Sequence, residues 1–224
     1  MKKFLFIFLL FSLFVINYSY ADEECPEGYT AGEVYYESPP FECCNWTQCN
    51  LLIKFCCKWI TSTNGNFLDV IIRETETYGC FGNRECCIMC LYQKPSVMLE
   101  IQKLIAESQE CLSQFPPCPD YKEDIIFKVS PCVYLKNYQK YPNDDFITVL
   151  IPCVENGGAK CEWLWHICMD YSQNPPLLKA EFQSCTPVYP IPCDLVEPTL
   201  PPDGKSWDEY WITNCFINNS CCPQ

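Results

Sequence analysis

Residues 51–75 read LLIKFCCKWITSTNGNFLDVIIRET, two apolar runs flanking a polar stretch around Asn64-Gly65. Asn-Gly supplies the positive φ angles that a tight hairpin turn needs. In the second run Leu68, Val70 and Ile72 alternate with Asp69, Ile71 and Arg73, the period of a strand with two unlike faces. Leu51–Thr61 and Phe67–Thr75 are therefore expected to form an antiparallel hairpin.

A second hairpin is expected downstream, with strands over Phe146–Val154 and Cys161–Asp170 and a turn at Asn156-Gly157-Gly158. Shorter strands fit Glu33–Tyr36, Ile125–Val129 and Leu177–Phe182. One amphipathic helix is expected after Pro95, with Ser96 as N-cap. Val97, Ile101, Leu104, Ile105 and Leu112 recur near helical spacing up to Pro116-Pro117, and Cys111 would staple its end. The fold class is thus mainly β, built from small antiparallel sheets or hairpins with one amphipathic helix, and rich in disulfides. A faint repeat is visible, since Cys25-Pro26 and Cys118-Pro119 each lead through a strand and a proline turn into one of the two hairpins.

The stabilising chemistry follows from the cysteines. All 21 lie beyond residue 21, about one residue in ten of the remaining 203. At that density in an exported chain, disulfides are the expected state, and the odd count leaves at least one thiol without a partner inside the chain. Cys43–Cys44, Cys56–Cys57, Cys86–Cys87 and Cys221–Cys222 are adjacent pairs. Neighbouring strand residues face opposite ways, so such a pair ties one segment to two partners. Cys87-Ile-Met-Cys90 has a C-x-x-C spacing, but no second such pair completes a four-ligand zinc site. No cofactor or metal is expected.

Export is read from the N-terminus. Lys2 and Lys3 precede an apolar stretch over Phe4–Ile16, and small residues Ser19 and Ala21 precede the expected cut. At 13 residues this stretch falls short of the roughly 20 a membrane-spanning helix needs. Cleavage after Ala21 removes two lysines and no acid, moving the net charge from −13 to −15. So acidic a surface repels nucleic acid and anionic lipid. Neither Asp22–Glu24 nor Asp144–Asp145 has the loop spacing of a calcium site.

The expected organisation is a signal peptide at 1–21, a cysteine-rich β module at 22–94 and a helix with connector at 95–117. A second cysteine-rich β module follows at 118–185, separate from the first or joined with it in one domain. Residues 186–224 form a proline-rich extended segment and an aromatic tail, which Cys193, Cys215, Cys221 and Cys222 would pin to the body.

Motifs of catalysis are sparse. No nucleophile elbow, zinc-protease helix, phosphate loop or EF-hand occurs, and the single histidine, His166, excludes multi-histidine metal centres. A hydrogen-bonded or edge-exposed role is expected for His166. Paired carboxylates for glycoside hydrolysis have no sequence signature, and acids are too abundant to single out a pair. The aromatic residues are the positive signal. Trp163 and Trp165 share one face of a strand, and Trp207 and Trp211 lie together in the tail. Exposed, these four are the candidate binding residues for sugar rings or a protein partner; buried, they are core, which is the commoner fate. In a eukaryote Asn45 and Asn218 head N-x-S/T glycosylation signals.

The expected function is a secreted binding or structural protein for protein or glycan partners. The alternatives are a secreted carboxylate-dependent hydrolase and a subunit of a surface assembly, joined through an unpaired cysteine or a strand edge. An enzyme is the less expected of these classes.

Overall fold

The strand that organises the molecule is the second arm of the first hairpin. The computed structural model describes residues 25–38, 49–63, 65–78, 94–108, 117–118, 123–153, 161–188, 193–194, 196–217 and 222. Within them, β2 (Asn50–Ser62) and β3 (Gly65–Tyr78) pair antiparallel along their whole length, as the 51–75 pattern predicts. In β2, Leu51, Ile53, Phe55 and Cys57 are buried on one face, while Leu52 and Cys56 are buried on the other. A strand buried on both faces reads as a near-continuous apolar run, which is what the sequence shows there.

The pairing slips once. Lys54 faces Glu74 and Phe55 faces Ile72, so Arg73 is the extra residue of a β-bulge. Up to that point Leu68, Val70 and Ile72 fill the core face. If Arg73 were paired in regular alternation and not bulged out, Glu74 and Glu76 would follow them into the core. With the bulge, Thr75 takes the core phase opposite Ile53, and the two acids turn to the other face, where Lys54 meets them.

The bulge also marks where β3 changes partners on its other edge. Residues Phe67–Ile71 pair in parallel with β4 (Glu123–Val129), whereas Thr75 and Glu76 pair antiparallel with β6 (Ile147–Pro152). Two arms thus leave one strand. Along the first, β4 pairs with β7 (Cys161–Asp170), and β7 with β8 (Leu177–Pro187). Along the second, β6 pairs with β5 (Cys132–Tyr138), whose far edge takes β9 (Trp211–Ile212) and β10 (Phe216–Ile217). On the far side of β2 lies β1 (Thr30–Glu37). The result is mainly β with one helix among the described residues, its strands merged into a single ten-stranded mixed sheet. Strands from 22–94 and from 118–185 share that sheet.

Three local expectations need correction. The strands of the second hairpin exist, but β6 and β7 do not pair with each other; they sit in different arms. β7 is drawn to β4 because Trp163 and Trp165 stand opposite Phe127 and Ile125, a row of large side chains buried together. Asn156-Gly157-Gly158 lies outside the described residues. The helix, α1 (Pro95–Glu107), is entered through Lys94 and not through a Ser96 cap: Pro95 occupies the first turn and Lys94 is extended. Proline lacks the N–H that a cap would satisfy, and it forces its predecessor out of the helical region. Finally, β8 runs on to Pro187, past the expected start of the extended segment. At the other end of α1, Ser108 closes the helix through its hydroxyl, which donates to the Ile105 carbonyl at 2.8 Å; Cys111 and Leu112 lie outside the described residues.

α1 lies on the core face, burying Val97, Met98, Ile101, Ile105 and Ala106. Gln102 is buried in the same interface and accepts a 2.7 Å hydrogen bond from Trp165 Nε1.

The tail is fastened as expected, by Cys132–Cys193, Cys153–Cys215 and Cys185–Cys222. Cys25–Cys56 and Cys118–Cys168 complete the pairs among the described residues. Cys49, Cys57 and Cys161 are disulfide-bonded as well, so all thirteen described cysteines are bonded. The residue left over by the odd count therefore lies among the other eight. Cys56 and Cys57, adjacent in β2, point to opposite faces and are both bonded, the branch point expected of such a pair.

A buried polar anchor supplements the disulfides. Asn137 on β5 donates to the carbonyls of Trp207 (2.9 Å) and Glu209 (2.7 Å), and its own carbonyl accepts from Thr148 Oγ1 at 2.9 Å. Asn137→Ala would strand all three partners, each worth about 1 kcal/mol or more when buried. We expect a loss of about 2–4 kcal/mol in denaturant unfolding of the oxidised protein, with exposure of Trp207 visible by fluorescence.

Candidate functional site

The four candidate tryptophans are packed inward. Trp163 and Trp165 do share one face of β7, but that face is the one α1 covers, and both are buried. Phe182 of β8 lies against both, with ring centroids 5.7 Å from Trp163 and 5.6 Å from Trp165. Trp211 is buried, and half-buried Trp207 packs edge-on to it at 5.4 Å. These rings are core, not an exposed stacking row; burial of large apolar area under α1 and the tail outweighs what exposure would offer. Asn45 and Asn218 lie outside the described residues.

A groove of about 680 Å³ lies where α1, β7 and β8 meet. Five consecutive β8 residues, Leu177 to Glu181, line it, together with Lys103 and Glu107 of α1 and His166 of β7. His166 stands directly between Asp124 on β4 and Glu181 on β8 in the strand register. Its Nδ1 is 2.5 Å from Asp124 Oδ1. Cys118 and Cys168 also line the groove, but they are bonded to each other, and Cys161 is bonded too. None of these sulfurs is a thiolate, so a Cys–His nucleophile pair is not formed with them. Glu107 and Glu181 bring two carboxylates to the groove. At its rim Lys179 lies 2.6 Å from Asp170, whose carboxyl is held down to about 2 by that ammonium and by Ser172.

Two charged clusters occupy the sheet face opposite α1. In the first, buried Asp69 accepts from Tyr29 Oη at 2.5 Å and from Lys128 Nζ at 2.7 Å. Lys58 Nζ sits 5.6 Å above the Tyr29 ring, and Gly28 (φ +79°) makes room for it, since a Cβ there would lie 2.8 Å from Nζ. In the second, Lys54 Nζ lies 2.8 Å from Glu74 and 2.6 Å from buried Glu76. Burial pushes the Glu74 carboxyl up, Lys54 pulls it back, and Glu76 pushes it up again, leaving it above the usual range. Burial alone would lower the Lys54 ammonium, but its bonds to the two acids outweigh that and raise it. These pairings were hidden in the sequence because they depend on the Arg73 bulge and on the parallel β3–β4 register. Among the described residues no group of three or more His, Cys, Asp or Glu is placed to hold a metal ion, and no helix is long and apolar enough to cross a membrane.

The first cluster has a pH signature. Burial, then the hydrogen bond to Asp69, then the Asp69 charge push the Tyr29 phenol up to about 12. An unfolded tyrosine ionises near 10. The folded state therefore holds the proton more tightly, and this contribution to stability is present below pH 10 and lost as pH rises toward 12. NMR titration of ring-labelled tyrosine should show Tyr29 ionising last or nearly so, and Asp69→Asn should move it part of the way back toward 10. Comparison of the chain with protein-family models, with curated proteins and with solved structures gives no match.

Proposed function

We propose that the protein is exported and works outside the cytoplasm as a disulfide-stapled binding or structural protein for protein or glycan partners. The observation that carries this reading is that every described cysteine is bonded, including those that tie the tail across the sheet. Cross-linking of this density forms and persists in an oxidising compartment, and the N-terminal pattern over 1–21 is the means of reaching one. A sheet clamped at both arms holds surface residues in fixed positions, which lowers the ordering cost of meeting a partner. Tyr35, Tyr171, Leu177, Tyr210 and Ile212 are large side chains that remain exposed on this rigid frame, the residue types that anchor such contacts.

Expression of the full chain in a secretory host tests this. The expected product is found in the medium, begins at Asp22, and keeps its mass under alkylation except for the few thiols outside the bonded set. Retention inside the cell with Met1 in place, or thiols that alkylate throughout the described cysteines, would contradict it.

A further inference from the structure

β8 carries a stretch that is complementary to itself. It is the last strand of its arm, and among the described residues nothing pairs with its outer edge. Leu178, Lys179, Ala180, Glu181 and Phe182 are consecutive. If two copies pair antiparallel about Ala180, Lys179 of each copy stands opposite Glu181 of the other, and Leu178 opposite Phe182. Directly opposed residues of an antiparallel pair lie on the same face. Two ion pairs therefore form on the face that carries His166, and two apolar pairs on the face that carries α1. At the two-fold axis sits alanine, small enough for close approach.

Several observations favour this occupant. Leu177 to Glu181 also line the groove, so this stretch of β8 borders open space. Lys179 and Leu177 are each 55 % exposed and Glu181 is exposed, whereas Leu178 is buried and Ala180 and Phe182 are half-buried. The Lys179 ammonium, beside Asp170 in its own protomer, has further N–H donors for a second carboxylate. The stretch ends where it should: Gln183 is a bulge residue, since Leu164 faces Ser184 and Trp165 faces Phe182, and a bulge turns an edge away from further pairing. The opposite edge strand, β1, lacks the property. Self-pairing about Tyr35 would set Glu33 against Glu37 in a chain already at −13.

We propose that β8 is a homodimerisation edge, joining two copies of this chain through an antiparallel β8–β8 ladder locked by reciprocal Lys179–Glu181 pairs. This deepens the binding role proposed above by naming a partner, a second copy. A five-residue ladder is a small interface, so the dimer is weak and concentration-dependent.

The test is sedimentation equilibrium of the oxidised full chain as secreted, at increasing concentration. Wild type should shift toward twice the protomer mass, and added salt should reverse the shift. Lys179→Glu leaves two acids at the paired positions and Glu181→Lys leaves two bases, so each variant alone should self-associate about tenfold more weakly, the symmetry counting each change twice. Mixed in equal amounts the two variants present opposite charges to one another, and the mixture should regain the wild-type association. That recovery also shows that both variants are folded. A wild type that stays monomeric at every concentration would overturn the pairing while leaving the binding role intact. Single variants that associate like wild type, a mixture that does not recover, or a dimer that survives a non-reducing denaturing gel would overturn it as well.

Discussion

The structure depends on a single edge being shared. β3 holds β2 along one side, and along the other it must serve β4 in its first half and β6 in its second. Every other strand on that side reaches the hairpin through one of those two. The Arg73 bulge is what permits the division, because it adds local twist between the two sets of partners and changes the phase of the side chains at the same point. Ahead of it, Leu68, Val70 and Ile72 are core; after it, Glu74 and Glu76 are free to leave the core and be neutralised by Lys54. One bulge thus reconciles an apolar strand start with an acidic strand end.

From this hub the remaining features follow by packing. The first arm supplies Ile125, Phe127, Trp163, Trp165 and Phe182, and α1 closes over them with Gln102 set against Trp165. The second arm is too short of strand length to close by itself. It is completed by the tail, which adds β9 and β10 to β5 and is held by Asn137 and by two disulfides that bind it to β5 and to the end of β6. Disulfides that close loops of 61 and 62 residues remove much freedom from the unfolded chain, roughly 4 kcal/mol each in the chain-entropy account. The cross-links therefore do for the tail what a longer strand pairing does for the hairpin.

Local pattern and long-range pairing were unequally legible. Asn64-Gly65 and the alternation over Leu68–Ile72 announced β2 and β3, and the four tail cysteines announced a pinned tail. In β5 Val133 and Leu135 alternate with Tyr134 and Lys136, but Pro131 and Cys132 read as a turn into the next hairpin and mask the strand. β6 and β7 are legible as strands, but as partners of each other, since nearness in sequence is the only pairing cue when turn residues intervene. Which edge is vacant is decided by β3, far upstream. Likewise the shared face of Trp163 and Trp165 was readable, but whether it met solvent or helix was not. The Asp124–His166–Glu181 row needed the registers of three strands from separate parts of the chain.

The bulge at position 73 is what sets Glu74 and Glu76 on the face of Lys54 and keeps Thr75 in the core. In an unbulged register Arg73 would stand opposite Lys54, and Glu74, opposite Ile53, would enter the core, where a buried unpaired charge costs several kcal/mol. Cross-strand nuclear Overhauser contacts in the oxidised, isotope-labelled protein test this most directly. The account predicts backbone contacts of Phe55 with Ile72 and of Lys54 with Glu74, with Arg73 opposite no residue of β2. Contacts that pair Lys54 with Arg73 and Ile53 with Glu74 would contradict it.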